Sequence, residues 1–156
     1  MKIKIIFLVA VLAGILTTCK KYPEGPLFSL RTKERRVIGS WTCQKYLIDG
    51  ADSTSIKFPN SQCTADFFGK VGAGSIDNYH FVYDCNSTAH LETGKWYLDG
   101  DKKSIVVSGT VQGTNLATFI LADRTSWTIL KLKHAEMHLQ TDFNSKHYDA
   151  YLKRQE

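Results

Sequence analysis

The stretch Ser126–Leu152, SWTILKLKHAEMHLQTDFNSKHYDAYL, decides the fold. Within it Ser126–Leu132, Met137–Phe143 and His147–Leu152 follow period two and are joined by connections of hairpin length, the pattern of consecutive antiparallel strands. The same reading extends upstream. Leu116–Leu121 and Ser104–Val107 are expected strands, and Asp99-Gly100-Asp101-Lys102 turns the chain between Gly94–Leu98 and Ser104–Val107. Thr64–Lys70 and Asn78–Cys85 flank the glycine-rich turn Val71–Ser75, and Trp41–Ile48 runs into Asp49-Gly50. Eight or nine short antiparallel strands with no long helix make an all-β domain. Closure into an up-and-down eight- or nine-stranded β-barrel removes the edges that such a row would expose; a two-sheet sandwich is the alternative.

Composition agrees with a single barrel. A chain of 156 residues supports one domain, and 43% hydrophobic with 22% charged residues is an ordinary globular balance. With 3 prolines and 11 glycines, collagen-like and linker-dominated chains are excluded.

The first residues read as targeting sequence. Lys2 and Lys4 precede an apolar run, Ile5–Leu16, too short for a bilayer span of about 20 residues but matched to the core of an export signal. Leu16-Thr17-Thr18-Cys19 resembles the lipobox of bacterial lipoproteins. The resemblance implies a signal peptide over residues 1–18, acylation of Cys19, a lipidated tether over 19–28 and a barrel domain over 29–156. Several acyl chains anchor firmly, at about 0.8 kcal/mol per buried CH₂. Lys20 stands where an Asp in some Gram-negative bacteria retains lipoproteins at the inner membrane, and Lys20-Lys21 is not an acidic surface-export run. The expected location is therefore the outer membrane, facing the periplasm. Loss of residues 1–18 lowers the net charge from +5 to +3, 18 basic against 15 acidic side chains. No nucleic-acid partner is expected at that charge.

Pro23 and Pro26 keep the tether extended. Ser29–Ile38 is expected to form a helix of two or three turns, with Ser29 as N-cap, Leu30, Val37 and Ile38 inward, and Gly39 ending it. Arg31, Lys33, Arg35 and Arg36 form a basic cluster, read as a solvated face or as an attraction for anionic headgroups.

Gly39-Ser40-Trp41, Gly94-Lys95-Trp96 and the late Trp127–Leu132, in that order after a lipobox and tether, resemble the small lipocalin-like lipoproteins of Gram-negative bacteria. Gly39 and Trp41 match the Gly-x-Trp signature at the first barrel strand. The resemblance implies a barrel closed at one end by the Trp41 ring, with a late arginine packed on it, for which Lys153 or Arg154 is the available stand-in. Thr141-Asp142-Phe143 matches the family's Thr-Asp-Tyr-like turn by chance, since one strand follows it where the family has two.

Three cysteines remain once Cys19 carries lipid, and export permits disulfides. A hairpin centred on Gly74 places Cys63 directly opposite Cys85, where a bridge can form. Cys43 shares a face with Trp41 and reads as a buried free thiol.

Catalytic signals are sparse, and no enzyme, metal or cofactor is expected. Gly72-Ala73-Gly74-Ser75 lacks both the dinucleotide-loop and the nucleophile-elbow context. His134-Ala135-Glu136-Met137-His138 resembles a zinc-protease motif with the Glu displaced by one, in a hairpin turn where residues four apart do not share a helical face. His80, His90 and His147 are scattered. The positive signal is aromatic: Tyr79, Phe81 and Tyr83 share one strand face, and Trp96, Phe119, Trp127 and Phe143 recur in others. These side chains either line a cavity for one small hydrophobic or amphipathic ligand or fill the core of the barrel. A binding module is one reading; a filled-core interaction, inhibitor or envelope-structural protein is the other.

Overall fold

The computed structural model describes residues 31–59, 63–69, 79–85, 90–113 and 117–155. The elements run α1 (Lys33–Val37), β1 (Gly39–Ile48), β2 (Ala51–Asp52), α2 (Thr54–Lys57), β3 (Thr64–Phe68), β4 (His80–Asp84), β5 (His90–Leu98), β6 (Ser104–Gly113), β7 (Arg124–Leu132), β8 (Glu136–Phe143) and β9 (Lys146–Arg154). Every strand from β3 to β9 pairs antiparallel with the next, β1 pairs with β3, and β1 also pairs with β9 along Trp41–Ile48. The sheet is thus a closed eight-stranded up-and-down barrel with β2 as a short extra strand on β1, as the sequence led us to expect. Bulges between Cys43 and Lys45 and between Ile129 and Lys131 supply local bending where the sheet curves shut.

Local chemistry sets the turns. Asp49 and Gly50 between β1 and β2, and Asn144 and Ser145 between β8 and β9, all take positive φ, the conformation that lets a two-residue hairpin follow the strand twist. Gly39 has φ +144°, and a Cβ there would lie 2.4 Å from Arg154 Nη1, so a side chain at this position would displace the guanidinium. At the crossing of β5 and β6, Cβ atoms on Gly94 and Gly109 would each overlap a backbone carbonyl oxygen of the opposite strand, at 2.0 and 2.1 Å, far inside van der Waals contact. The β6–β7 ladder stops at Ser108, one residue before that crossing.

Three sequence expectations need correction. The N-terminal helix is one turn: its N-cap is Thr32, whose hydroxyl accepts from Arg35 N, whereas Ser29 and Leu30 lie outside the described residues. Arg36 is buried with Val37 and is not part of a solvated basic face; its Nη1 donates to Leu132 O at 2.6 Å. The expected strand Leu116–Leu121 is not found: Leu116 lies outside the described residues and 117–121 are not in a strand. Residues 117–123 cross a barrel mouth without ladder pairing, and the ninth strand is β2 instead. The signal peptide, Cys19, the tether and the turn Val71–Ser75 lie outside the described residues.

The β3–β4 register pairs Thr64 with Asp84 and Ala65 with Tyr83, which carries Cys63 opposite Cys85 as expected, and the two form a disulfide across 22 residues. Cys43 is free and half-buried, its thiol pushed up to about 12 by burial. A loop of that length closed in the unfolded chain stabilises by about 3 kcal/mol in the chain-entropy model. Reductant should therefore lower the melting temperature of the protein, and Cys63→Ser or Cys85→Ser should lower it and abolish that response. Cys43→Ser should leave the response intact in the same thermal scans.

Candidate functional site

The mouth of the barrel opposite α1 is sealed by two segments that carry aromatic side chains inward. Phe58 follows α2, and Phe119 sits in the irregular stretch after β6. The Phe119 ring lies 5.6 Å from both Phe81 and Tyr83, 5.7 Å from Trp127 and 6.1 Å from Phe58, centroid to centroid. Deeper in, Phe67 bridges Phe81 at 5.0 Å and Trp96 at 5.7 Å, and Tyr79 caps Trp96 at 4.9 Å. Phe81, Tyr83, Trp96, Phe119 and Trp127 have 0% exposure, so no water-sized space touches them. Tyr79 and Phe143 are half-buried against the same cluster. The structure therefore brings the expected aromatic residues together as ring-on-ring packing.

Segment 117–123 lies across this mouth because Glu92 holds it. Glu92 points inward from β5 with no exposed surface, and its carboxylate accepts from the backbone N–H of Thr118 at 2.5 Å, Phe119 at 2.9 Å and Ile120 at 2.7 Å. The carbonyls are satisfied too: Tyr46 Oη donates to Thr118 O at 2.6 Å, Trp127 Nε1 to Phe119 O at 2.9 Å and Lys57 Nζ to Ala117 O at 2.9 Å. Thr125 Oγ1 accepts from Leu121 N and Ala122 N. Side chains thus replace the ladder bonds that a buried backbone otherwise requires. Burial, and next the nearby Glu92 charge, raise the Tyr46 and Tyr83 hydroxyls above the usual phenol range, so both remain protonated donors. Burial lowers the Lys57 ammonium.

At the other end Trp41 is fully buried and donates from Nε1 to Val37 O at 2.8 Å. Of the two candidate partners, Arg154 packs on it, with its guanidinium carbon 4.6 Å from the ring centroid. Lys153 points outward and is exposed. Arg154 also donates to the carbonyls of Arg36, Ile38 and His134, at 2.5, 2.8 and 2.8 Å. One cation therefore closes the α1 end by π contact and by satisfying the carbonyls left at the helix terminus.

His134, Glu136 and His138 are not brought to one site. His134 is in the exposed β7–β8 turn, Glu136 pairs with Lys131 at 2.8 Å, and His138 lies on the outer wall, stacked on Tyr151 at 3.9 Å. There His138 Nε2 meets Asp149 Oδ1 at 3.0 Å, Asp149 Oδ2 lies 3.4 Å from His147 Nε2, and His147 Nδ1 meets Asp142 Oδ1 at 2.7 Å. This alternating row runs over β8 and β9. Among the described residues no group of three or more His, Cys, Asp or Glu side chains is arranged to hold a metal ion. Surface clefts are also present among the described residues. One, about 500 Å³, lies between the half of β6 that pairs with β5 but not with β7 (Gly109, Thr110, Val111) and Ile120, Leu121 and Asp123; another, about 300 Å³, lies beside His138 and Tyr151.

No family model matches this chain, and no curated protein matches it. Among solved structures it is similar to a lipocalin-like protein from Bacteroides uniformis, at 10% sequence identity and a TM-score of 0.46, covering 77% of this chain and 99% of that one.

Glu92 was missed by sequence reasoning because its position in a strand of alternating residues gives no sign of three amides waiting in a segment 26 to 28 residues later. Glu92→Ala should destabilise the protein by about 3–5 kcal/mol in urea unfolding, since charge-assisted bonds are lost and buried N–H donors are left without an acceptor. Glu92→Gln, which keeps one acceptor oxygen, should fall between. On the outer wall, the Asp142 hydrogen bond raises the His147 pKa above 6.5. Its contribution to stability is therefore complete below the unfolded-state value and is lost as pH rises through the raised folded value. An NMR titration should find His147 above the ordinary histidine range, and Asp142→Asn should bring it down.

Proposed function

We propose that the chain is a non-enzymatic envelope lipoprotein, anchored through Cys19 and facing the periplasm, whose barrel is a filled scaffold that works through its exterior. The observation that carries this reading is the solid interior: Phe81, Tyr83, Trp96 and Trp127 have no exposed surface and are capped by Phe119, which is equally buried and whose N–H and carbonyl are bonded to Glu92 and Trp127. A cavity for a small molecule needs volume on the order of 300 Å³, and these rings leave none between them. The anchor rests on the sequence alone, on Leu16-Thr17-Thr18-Cys19 after a basic and apolar leader.

A second reading keeps the small hydrophobic ligand. It is favoured by the way Phe119 enters the barrel: on a segment outside the sheet, so that its withdrawal breaks no ladder pairing. On this reading a ligand replaces the Phe119 ring and is lined by Phe81, Tyr83 and Trp127, with Trp96 and Tyr79 deeper. Phe119→Ala opens an apolar cavity of the kind that takes up benzene-sized molecules.

Native mass spectrometry of residues 20–156 purified from the periplasm separates the readings. The filled scaffold predicts a clean mass for the wild-type protein, with small aromatic uptake only in Phe119→Ala; a co-purified adduct lost on denaturation would establish the ligand-binding reading. For the anchor, Cys19→Ala should abolish fatty-acid labelling of the full chain and release it from the membrane fraction.

A further inference from the structure

We infer that the α1 end of the barrel is a docking surface for anionic phospholipid headgroups. Four separate pieces of chain converge there. Lys33 Nζ donates to Lys102 O at 3.3 Å and Glu34 pairs with Lys102 at 2.7 Å, tying α1 to the β5–β6 turn. Arg36 joins α1 to the end of β7, and Arg154 joins the end of β9 to the β7–β8 turn.

Charge divides along the barrel axis with this end positive. Segments 31–38, 99–103, 131–136 and 153–155 hold ten lysines and arginines against four carboxylates; the remaining described residues hold five against eight. The four carboxylates are engaged within the protein. Glu34, Asp101 and Glu136 pair with Lys102, Lys103 and Lys131, and Asp99 accepts the amides of Lys103 and Ser104. Exposed positive charge therefore remains at this end, on Arg35 of α1, on Lys153 of β9 and on Lys133 of the β7–β8 turn, whose Nζ lies 3.9 Å from the Glu136 carboxylate that Lys131 holds at 2.8 Å.

Two further observations select a membrane over a soluble polyanion. Phe68, at the end of β3 beside the Gly39–Phe67 pair, is 51% exposed, one of two large hydrophobic side chains exposed among the described residues. An exposed aromatic ring at the cationic end of the barrel suits the boundary between headgroups and acyl chains. The chain also enters the barrel at this end: Arg31 is twelve residues after Cys19, a span of at most about 43 Å when fully extended. In this respect the inference rests on the lipid-anchor reading, whereas the charge distribution and Phe68 do not depend on it.

The test uses residues 20–156, which contain every described core residue and carry no lipid, in co-sedimentation with phosphatidylglycerol-containing vesicles and with purely phosphatidylcholine vesicles. We expect binding to the first only, weakened by salt. Each positive charge near an anionic surface is worth about fivefold in partitioning, so Arg35→Glu/Lys133→Glu/Lys153→Glu should reduce binding at least a hundredfold with an unchanged melting temperature. Phe68→Ser should reduce it further. Lys146→Glu, the same charge change at the opposite end, should have little effect, and Lys133→Glu alone a clear one. Equal binding to both vesicle types, equal loss from Lys146→Glu and Lys133→Glu, or tighter binding to a short DNA duplex than to anionic vesicles would each overturn the inference. Fatty-acid labelling of the full chain reports on Cys19 separately, so failure of one leaves the other standing.

Discussion

The structure depends on one buried carboxylate. Glu92 sits among aromatic rings, where an ionised group without partners would be intolerable. Its three amide partners come from consecutive residues of a segment that has no sheet neighbour. Each side of the contact makes the other possible. Without Glu92 the 118–120 amides would be buried without acceptors, and without those amides the carboxylate could not remain in the core. The result is a backbone crossing of the barrel mouth that delivers Phe119 to the centre of the aromatic cluster.

The α1 end solves the matching problem with opposite charge. Arg154 donates to carbonyls at the end of α1 and in the β7–β8 turn, Arg36 donates from Nη1 to the last carbonyl of β7, and Arg154 lies over Trp41. An anion that collects amides closes one mouth and cations that collect carbonyls close the other. The guanidinium suits its role because its planar fork reaches three carbonyls while its face stacks on the indole. Gly39 is then required by the same contact, since any side chain there would occupy the space of Arg154 Nη1.

Most of the strands, the register of the β3–β4 hairpin and the disulfide were legible in the sequence because they follow from local rules: alternation, turn residues and hairpin pairing. Cys63 opposite Cys85 needs only the centre of one hairpin. Misreadings fall where a distant side chain takes over a backbone's hydrogen bonds. Leu116–Leu121 has the apolar content of a strand, but Glu92, Tyr46 and Trp127 satisfy its groups from outside the sheet. Arg36 looks like one more solvated cation in a basic run until the carbonyl of Leu132, 96 residues on, gives it a reason to be buried. The aromatic residues were identifiable as inward-facing, whereas cavity or core depended on Phe58 and Phe119, which reach the interior from irregular segments.

The two ends also differ in what opening them would involve. At the α1 end the seal is part of the closure itself: Trp41 lies on β1 and Arg154 on β9, facing partners in the β1–β9 ladder. Separating them unzips the barrel. At the Glu92 end, segment 117–123 lies outside the ladders, and the β6–β7 pairing already ends at Ser108 and Arg124. Moving Phe119 outward would break side-chain-to-backbone bonds to Glu92, Tyr46 and Trp127 while leaving every strand pairing in place. Opening at the Glu92 mouth would therefore leave the barrel closed, whereas opening at the α1 end would unzip it.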